Sequence, residues 1–598
     1  MWFSLLRYAR GSARNLALVA VFMILCAVGD IVSPFIMAHL IDQNILKGTM
    51  AGSTPWIVLV FAAAVAQGSC TYVFIANAMR ADIGVTCDLR RLGFQKLQEL
   101  SFSYYDRTSV GYIMARLTSD ASRLGDTLAW SLVDFFWSIA YSLLAGAAML
   151  IVNWRLGLLL VGVLPVVAAV SLIIRKFILA AQRRVRRANS RITGAFNEGI
   201  GGAKTTKTLV LERKNVAAFQ TLTTDMYRQS VRSALISSLL MPLVLCIGSV
   251  GTALLLWKGG VTVLAGGITL GEFSFFLWLG SMYFEPINNL TRIFSDLQSS
   301  QAALERVISL LETEPEITES ERVLQKFGGT FDARPESWPK LKGDVVFDHV
   351  SFRYREGRPV LSDFCLHVRP GERIALVGET GGGKSTIVNL LCRFYEPTEG
   401  RILIDGVDYR ERPQSWLHAN LGYVLQSPHL FSGTVRENIR YGRLDATDEE
   451  VEAVARLIHA DAFIGRLEHG YDTEVGEGGN RLSTGEKQLI SFARAILAAP
   501  PLFILDEATS SIDTEAELNI KQAMETTLAG RTSFIIAHRL STVRSADRIL
   551  VIGGGVILEA GSHAELMRSR GHYYELYTSQ FREEESNKAL GLGGPAVE

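Results

Sequence analysis

The chain has 598 residues, enough for more than one domain, and a mean hydropathy of +0.21 with 48% hydrophobic residues, values that are high for a soluble enzyme and put part of the chain in lipid. Lys plus Arg and Asp plus Glu both total 60, so no net basicity points to a nucleic-acid partner. The six cysteines (26, 70, 87, 246, 365 and 392) include no C-x-x-C pair, which argues against a zinc knuckle or a disulfide framework and for reduced, structural thiols.

Residues 1–14 read as a short interfacial helix, with Trp2, Phe3, Leu5, Leu6 and Tyr8 toward lipid and Arg7, Arg10 and Arg14 toward headgroups. The apolar run that follows is too long for a cleavable signal peptide and lacks a small-residue cleavage site, and almost nothing separates the arginines from it, unlike a mitochondrial presequence. Runs of about 20 residues, the length needed to cross ~30 Å of hydrocarbon, occupy 16–40, 56–78, 127–152, 156–174, 234–257 and 273–290. The expected organisation is a membrane domain over 1–310 with six spans.

The connections over 81–125 and 176–233 carry dense arginine and lysine, including Arg90, Arg91, Arg183, Arg184, Arg186 and Arg187, and are assigned to the cytoplasm. The segments around Lys47, Arg155 and Lys258 are short and poor in charge, so they face outward, and both termini are then cytoplasmic. Both basic connections are too long for loops and have broadly helical apolar spacing, so membrane helices are expected to project into the cytoplasm as levers. No internal repeat is visible, so two-fold symmetry must come from a second chain.

Charges inside spans are functional suspects. Asp30, Asp134 and Glu285 fall in or at the ends of spans, and each also has a plainer reading as a helix-end carboxylate or as a partner of a neighbouring helix. Asp30 and Glu285, with Asn288 and Asn289, are the candidates for lining a substrate cavity. The aromatic series Phe273, Phe275, Phe276, Trp278, Tyr283 and Phe284 reads as lipid-facing packing.

A linker is expected over 311–342, a soluble α/β domain over 343–581, and a polar, Gly-rich disordered tail over 582–598. Residues 350–354 alternate like a strand and supply Tyr354, a ring suited to stacking on adenine. Next comes an apolar strand, 373–377, and then Gly378-Glu379-Thr380-Gly381-Gly382-Gly383-Lys384-Ser385-Thr386, which fits G-x-x-x-x-G-K-[ST]. In that loop, backbone N–H groups wrap polyphosphate oxygens, lysine neutralises charge and a hydroxyl holds Mg2+. A helix from about Lys384 would aim its positive dipole end at the phosphates. Gln426 follows strand 422–425; Asp506 and Glu507 end strand 502–505, one suited to hold magnesium through water and the other to polarise an attacking water; His538 follows strand 532–536.

Together, 378–386, Gln426, Leu482-Ser483-Thr484-Gly485-Glu486, 502–507, Ser511-Ile512-Asp513 and His538 resemble the ATP-binding-cassette (ABC) domain, and the six preceding spans resemble the type IV, multidrug-exporter-like half-transporters. The fold so implied is an all-α six-helix transmembrane domain with long cytoplasmic extensions, followed by an α/β P-loop ATPase. The resemblance implies ATP and Mg2+ as ligands, with Tyr354 as adenine stack, Lys384 as phosphate clamp and Ser385, Gln426 and Asp506 as magnesium ligands. It further implies Glu507 as general base, His538 as γ-phosphate sensor, Asp513 as a contact across the dimer, and Ser483, Thr484, Gly485 and Glu486 as contacts to the partner's nucleotide. Tyr104, Tyr105, Asp106, Gly111 and Arg116 resemble the first coupling segment of the family, and 201–204 falls where the second should lie.

The usual family signature is Leu-Ser-Gly-Gly-Gln, and this chain departs from it at Thr484 and Glu486. One reading is an asymmetric heterodimer in which this signature serves the weaker ATP site, and a homodimer is the alternative. A capping box, with Glu486 bonding back to Ser483, would explain Glu486 but not Thr484. The expected activity is ATP-driven export of hydrophobic or amphipathic compounds from a bacterial cytoplasmic membrane. The alternatives are a lipid or lipopeptide flippase and an ATP-gated or regulatory subunit that does not pump.

Overall fold

The computed structural model describes residues 5, 7–8, 10–48, 52–355, 357–506, 528–536 and 543–579. The chain divides into two compact units, one of Met1–Gln98 with Ser109–Thr313, the other of Glu99–Thr108 with Glu314–Glu598.

The first unit is helical. Among the described residues, five helices are long and apolar enough to cross a membrane: Arg10–Ile45, Thr54–Glu99, Val110–Val152, Trp154–Gly201 and Glu212–Leu264. At 36 to 53 residues they outrun the roughly 20 that a bilayer needs, so the basic connections are continuations of the helices. Phe61, Val65 and Tyr72 stand exposed along Thr54–Glu99, as expected of a helix whose solvent is lipid.

The sixth run is not one unbroken helix. It breaks at Tyr283 and Phe284 into helices Leu270–Met282 and Glu285–Glu312. Pro286 has no N–H to give and its ring would clash with the carbonyl four residues back, so it ends the first helix and sits in the opening turn of the second.

The expectation of lipid-facing aromatics in this run is corrected. Phe275, Phe276, Tyr283 and Phe284 are buried in a cluster with Tyr141, Met149, Leu160, Val244 and Leu255, while Trp278 stays exposed. Leu5, expected toward lipid, is likewise buried against Leu16, Val85, Leu89 and Leu128. Arg7, Arg10 and Arg14 are exposed.

In the second unit, strands are numbered in chain order. β1 (Val345–Phe352), β2 (Leu361–Val368), β4 (Glu399–Ile404) and β5 (Val407–Asp408) make an antiparallel sheet of order β2-β1-β4-β5. β3 (Arg373–Val377), β6 (Leu421–Val424), β7 (Leu502–Asp506), β8 (Thr532–Ile536), β9 (Arg548–Gly553) and β10 (Val556–Gly561) make a second sheet of order β10-β9-β3-β8-β7-β6. Only β10 is antiparallel there.

β8 is buried at every position and β7 at all but its last residue, the pattern of parallel strands covered on both faces. Two cores result, one holding Phe347, Phe364, Ile374, Ile387 and Trp416, the other Val377, Ile490, Phe492, Phe503 and Ile535. The stretch expected as a linker contains helix Glu321–Phe327, whose Val323 and Phe327 are buried. The expected tail, 582–598, lies outside the described residues.

Candidate functional site

β3, β6, β7 and β8 run parallel, so the chain leaves their carboxyl ends along one edge of the sheet, where open α/β folds place ligands. The Gly-rich loop leaves β3 at that edge and turns into helix Lys384–Leu391. Gly383 is its N-cap at φ +107 with no side-chain cap, so the first-turn N–H groups are left to a ligand. Gly378 sits at φ +141, and a Cβ there would lie 2.1 Å from the Ile552 carbonyl oxygen, so only glycine fits.

Lys384 is buried, and its Nζ donates to the carbonyls of Gly378 and Glu379, each at 2.7 Å. The amine is thus held in the mouth of the loop. Burial pushes its pKa down, opposed by the charge of Asp506. Ser385 and Thr386 open the same helix, and Thr386 lies 3.2 Å, Oγ1 to Oη, from Tyr354. Asp506 ends β7, and Gln426 lies exposed just past β6. The hydroxyl of Ser385, the amide of Gln426 and the carboxylate of Asp506 offer oxygen donors, which suit a hard cation such as Mg2+.

Tyr354 lies two residues beyond β1 and packs edge-on against Phe352 (4.8 Å) and Tyr395 (5.0 Å). Tyr395, which sequence reasoning missed, donates its hydroxyl to Asp106 in the short helix Phe102–Arg107. That helix belongs to this unit: Phe102 stacks on Phe394 at 4.1 Å, Arg107 pairs with Glu316 at 3.6 Å, and Ser101 Oγ accepts from the Ile317 N–H at 3.0 Å. A continuous set of contacts therefore joins Tyr354 to the segment resembling the first coupling helix. An aromatic following Phe394 was its only trace in the sequence.

The altered signature opens helix Thr484–Leu497. Ser483 N–H and Oγ–H both donate to Glu486 Oε2, at 2.8 and 2.9 Å, and Glu486 N–H donates to Ser483 Oγ at 3.3 Å. The capping box is formed, so the Glu486 carboxylate is turned back onto its own helix start. Thr484 stays exposed at the first helical position, and Gly485 is buried. Glu507, Asp513 and His538 lie outside the described residues.

In the helical unit, two of the three carboxylates are paired with side chains of neighbouring helices. Asp30 accepts from Gln67 Nε2 (2.5 Å) and Trp137 Nε1 (2.9 Å), which tie three helices together, and Asp134 pairs with Arg292 at 2.7 Å. Glu285 is exposed at the start of its helix, with Asn288 and Asn289 half-buried one turn on; Asn289 Oδ1 accepts from Arg292 at 3.4 Å. Sequence reasoning also missed a groove of about 500 Å³ lined by Arg183, Arg186, Arg187, Gln298, Gln301 and Glu305. The i, i+3, i+4 spacing of the arginines puts them on one face, but only packing brings the glutamines opposite.

Residues 16–287 match the family described as the ABC transporter transmembrane region, and 361–510 match the family described as ABC transporter. An uncharacterised ABC transporter ATP-binding protein of Bacillus subtilis, YfiC, is 35% identical over 566 residues, covering 95% of this chain and 92% of its own. The ATP-dependent lipid A-core flippase of Syntrophus aciditrophicus is 33% identical over 98% of this chain and 96% of its own, and a fatty acid ABC transporter of Mycobacterium bovis is 39% identical over 80% and 74%. The solved structure of a bacterial Atm1-family ABC exporter with ATP bound superposes with a TM-score of 0.78 at 28% identity, covering 95% of this chain and 99% of that one. With a helical membrane unit ahead of a P-loop cassette, and matches to both parts, this chain belongs to the ABC transporter family as a type IV exporter half-transporter, an ATPase coupled to transport across a membrane.

Proposed function

We propose that this chain exports hydrophobic or amphipathic compounds by alternating access, as one half of a dimer with both termini in the cytoplasm of a bacterial cell. The observation that carries the reading is the convergence of the Gly378–Thr386 loop, Gln426 and Asp506 at the carboxyl edge of one parallel sheet, beside the ring of Tyr354. Tyr354 stacks the adenine, and the loop amides with Lys384 take the phosphates, the amine exchanging its two carbonyl partners for phosphate oxygens. Ser385, Gln426 and Asp506 hold Mg2+, which when bound neutralises charge on the phosphates. Glu507 accepts a proton from the attacking water, His538 orients the γ-phosphate, and Ser483 to Glu486 with Asp513 reach the partner's nucleotide. ATP shifts the membrane unit only as far as it binds the closed arrangement better than the open one.

Because the capping box accounts for Glu486, the case for a heterodimer rests on Thr484, whose branched side chain stands where a backbone amide would approach phosphate. Poor ATPase by the purified chain alone, recovered with a second half-transporter, supports the heterodimer; robust turnover alone with two equivalent sites refutes it.

A second cargo reading, a lipid with an acidic head, is favoured by the arginine groove, where guanidinium pairs match phosphate or carboxylate oxygens. The test of both is ATP-dependent transport in proteoliposomes, comparing cationic dyes, neutral amphiphiles and fluorescent anionic lipids. Glu285→Gln should alter cationic cargo most, and Arg186→Ala with Arg187→Ala should alter anionic lipid most. ATP hydrolysis without movement of any of the three classes would overturn the export reading.

A further inference from the structure

His349, Asp363 and Cys365 share the exposed face of β1 and β2, outside the nucleotide site, and each offers one donor atom that lies within 4.8 Å of those of the other two. Two consecutive β-bulges bring them there. Between the pairs Phe347↔Leu366 and Val350↔Phe364, Asp348 and His349 of β1 stand opposite the single residue Cys365. Between Val350↔Phe364 and Phe352↔Leu361, Ser362 and Asp363 of β2 stand opposite the single residue Ser351. Each bulge holds a non-glycine residue in the left-handed region, His349 at φ +50 and Asp363 at φ +48. Regular pairing would keep the strand faces in strict alternation; the bulges re-aim the two side chains toward each other and toward Cys365.

We propose that His349 Nδ1, Asp363 Oδ1 and Cys365 Sγ form a binding site for a thiophilic divalent cation of the Zn2+ class, with a fourth position open to water. An imidazole, a carboxylate and a thiolate are the ligand types zinc takes, and hard Mg2+ does not favour the sulfur. The His349 and Asp363 donors are already 2.6 Å apart across a hydrogen bond. Zinc bonds of about 2.0–2.2 Å at a tetrahedral angle need these atoms roughly 3.3 Å apart, and the sulfur roughly 3.6 Å from either, so the pair opens slightly while Cys365 closes in.

Such movements are side-chain rotations, since both side chains of the pair are more than 70% exposed. The bulges hold the backbone, and Ser351 Oγ accepts from the Asp363 N–H at 3.1 Å. The nearby Asp348 is engaged by Arg401 at 2.8 Å, and His367 by Asp344 at 2.8 Å, which leaves the three named residues as the ligand set. On binding, the Cys365 thiol proton and any proton on His349 Nδ1 are released to solvent, and the thiolate sulfur stays on the metal.

The test uses the full-length chain in detergent, stripped with chelator and free of nucleotide. Titration with Co2+ should produce a thiolate-to-cobalt charge-transfer band that saturates at one equivalent and is displaced by Zn2+. Cys365→Ser should abolish the band, and His349→Ala or Asp363→Ala should weaken Zn2+ binding by more than the roughly 10–100-fold that outer-shell changes cost. Cys87→Ser with Cys246→Ser, which removes the exposed thiols of the helical unit, should leave the band intact. Unchanged ATP binding by each variant reports a folded cassette. A band that persists in Cys365→Ser, or that vanishes in the Cys87/Cys246 variant, or no saturable binding by the parent chain, overturns the site.

Discussion

The capping box at the altered signature gives a prediction whose size follows from its hydrogen bonds. Ser483→Ala removes the acceptor for the Glu486 N–H and the hydroxyl that donates to Oε2, but leaves the 2.8 Å bond from the Ser483 backbone. Loss of an N-cap side chain costs about 1 kcal/mol, so the first turn of helix Thr484–Leu497 should open about fivefold more often. Glu486→Ala removes both bonds to Oε2 and a first-turn carboxylate, again about 1–1.5 kcal/mol. The one bond common to both changes is Ser483 Oγ–H to Oε2, so the double variant should fall short of additivity by about 0.5–1 kcal/mol. Glu486→Gln keeps an oxygen able to accept both donors and should stay within about 0.5 kcal/mol of the parent. Hydrogen exchange of the amides at 485–487 in the purified transporter reads these differences. Full additivity, or a Glu486→Gln variant as loose as Glu486→Ala, would refute the cap. A changed ATP affinity in Glu486→Gln with unchanged exchange would place the carboxylate against nucleotide instead.

Three further outcomes are expected. Glu507→Gln should lower steady-state ATPase by ~100-fold or more while ATP still binds, checked by turnover and nucleotide retention; undiminished ATPase would remove Glu507 from the mechanism. Tyr395→Phe keeps the ring against Tyr354 but loses the bond to Asp106, so ATP binding should persist while stimulation of ATPase by cargo falls, and equal stimulation in both proteins would show that the contact carries no coupling. His418 Nε2 lies 2.9 Å from the Cys392 carbonyl oxygen, and desolvation holds its pKa below the usual histidine value. On unfolding it takes up a proton in the window between the two values, so the cassette should lose stability as pH falls below about 6.5, with the loss levelling off once pH passes the depressed folded value. His418→Gln should flatten that acid limb in denaturant unfolding followed between about pH 7 and pH 5; an unchanged slope would assign the acid sensitivity to other groups.

Much of the cassette was legible in the chain because its signals are local. A buried strand, a Gly-rich turn and a helix start lie within about 20 residues, so β3, the loop and the helix from Lys384 follow from periodicity and from backbone conformations open to glycine. The capping box is equally local, four residues whose side chains reach only their own backbone. The membrane unit is different, because a spanning helix is apolar on every side, and its sequence cannot say which aromatics face lipid and which face protein. Burial of Phe275 and Phe276, the hold of Gln67 and Trp137 on Asp30, and the reach of Arg292 to Asp134 are set by neighbours 37 or more residues away. The break before Glu285 lies between these cases: Pro286 is visible in the chain and disfavours an unbroken helix, but the apolar sequence over 273–290 reads as one continuous run. Only cross-strand register brings His349, Asp363 and Cys365 together, since a bulge changes which side chains meet without changing the alternation visible in either strand alone.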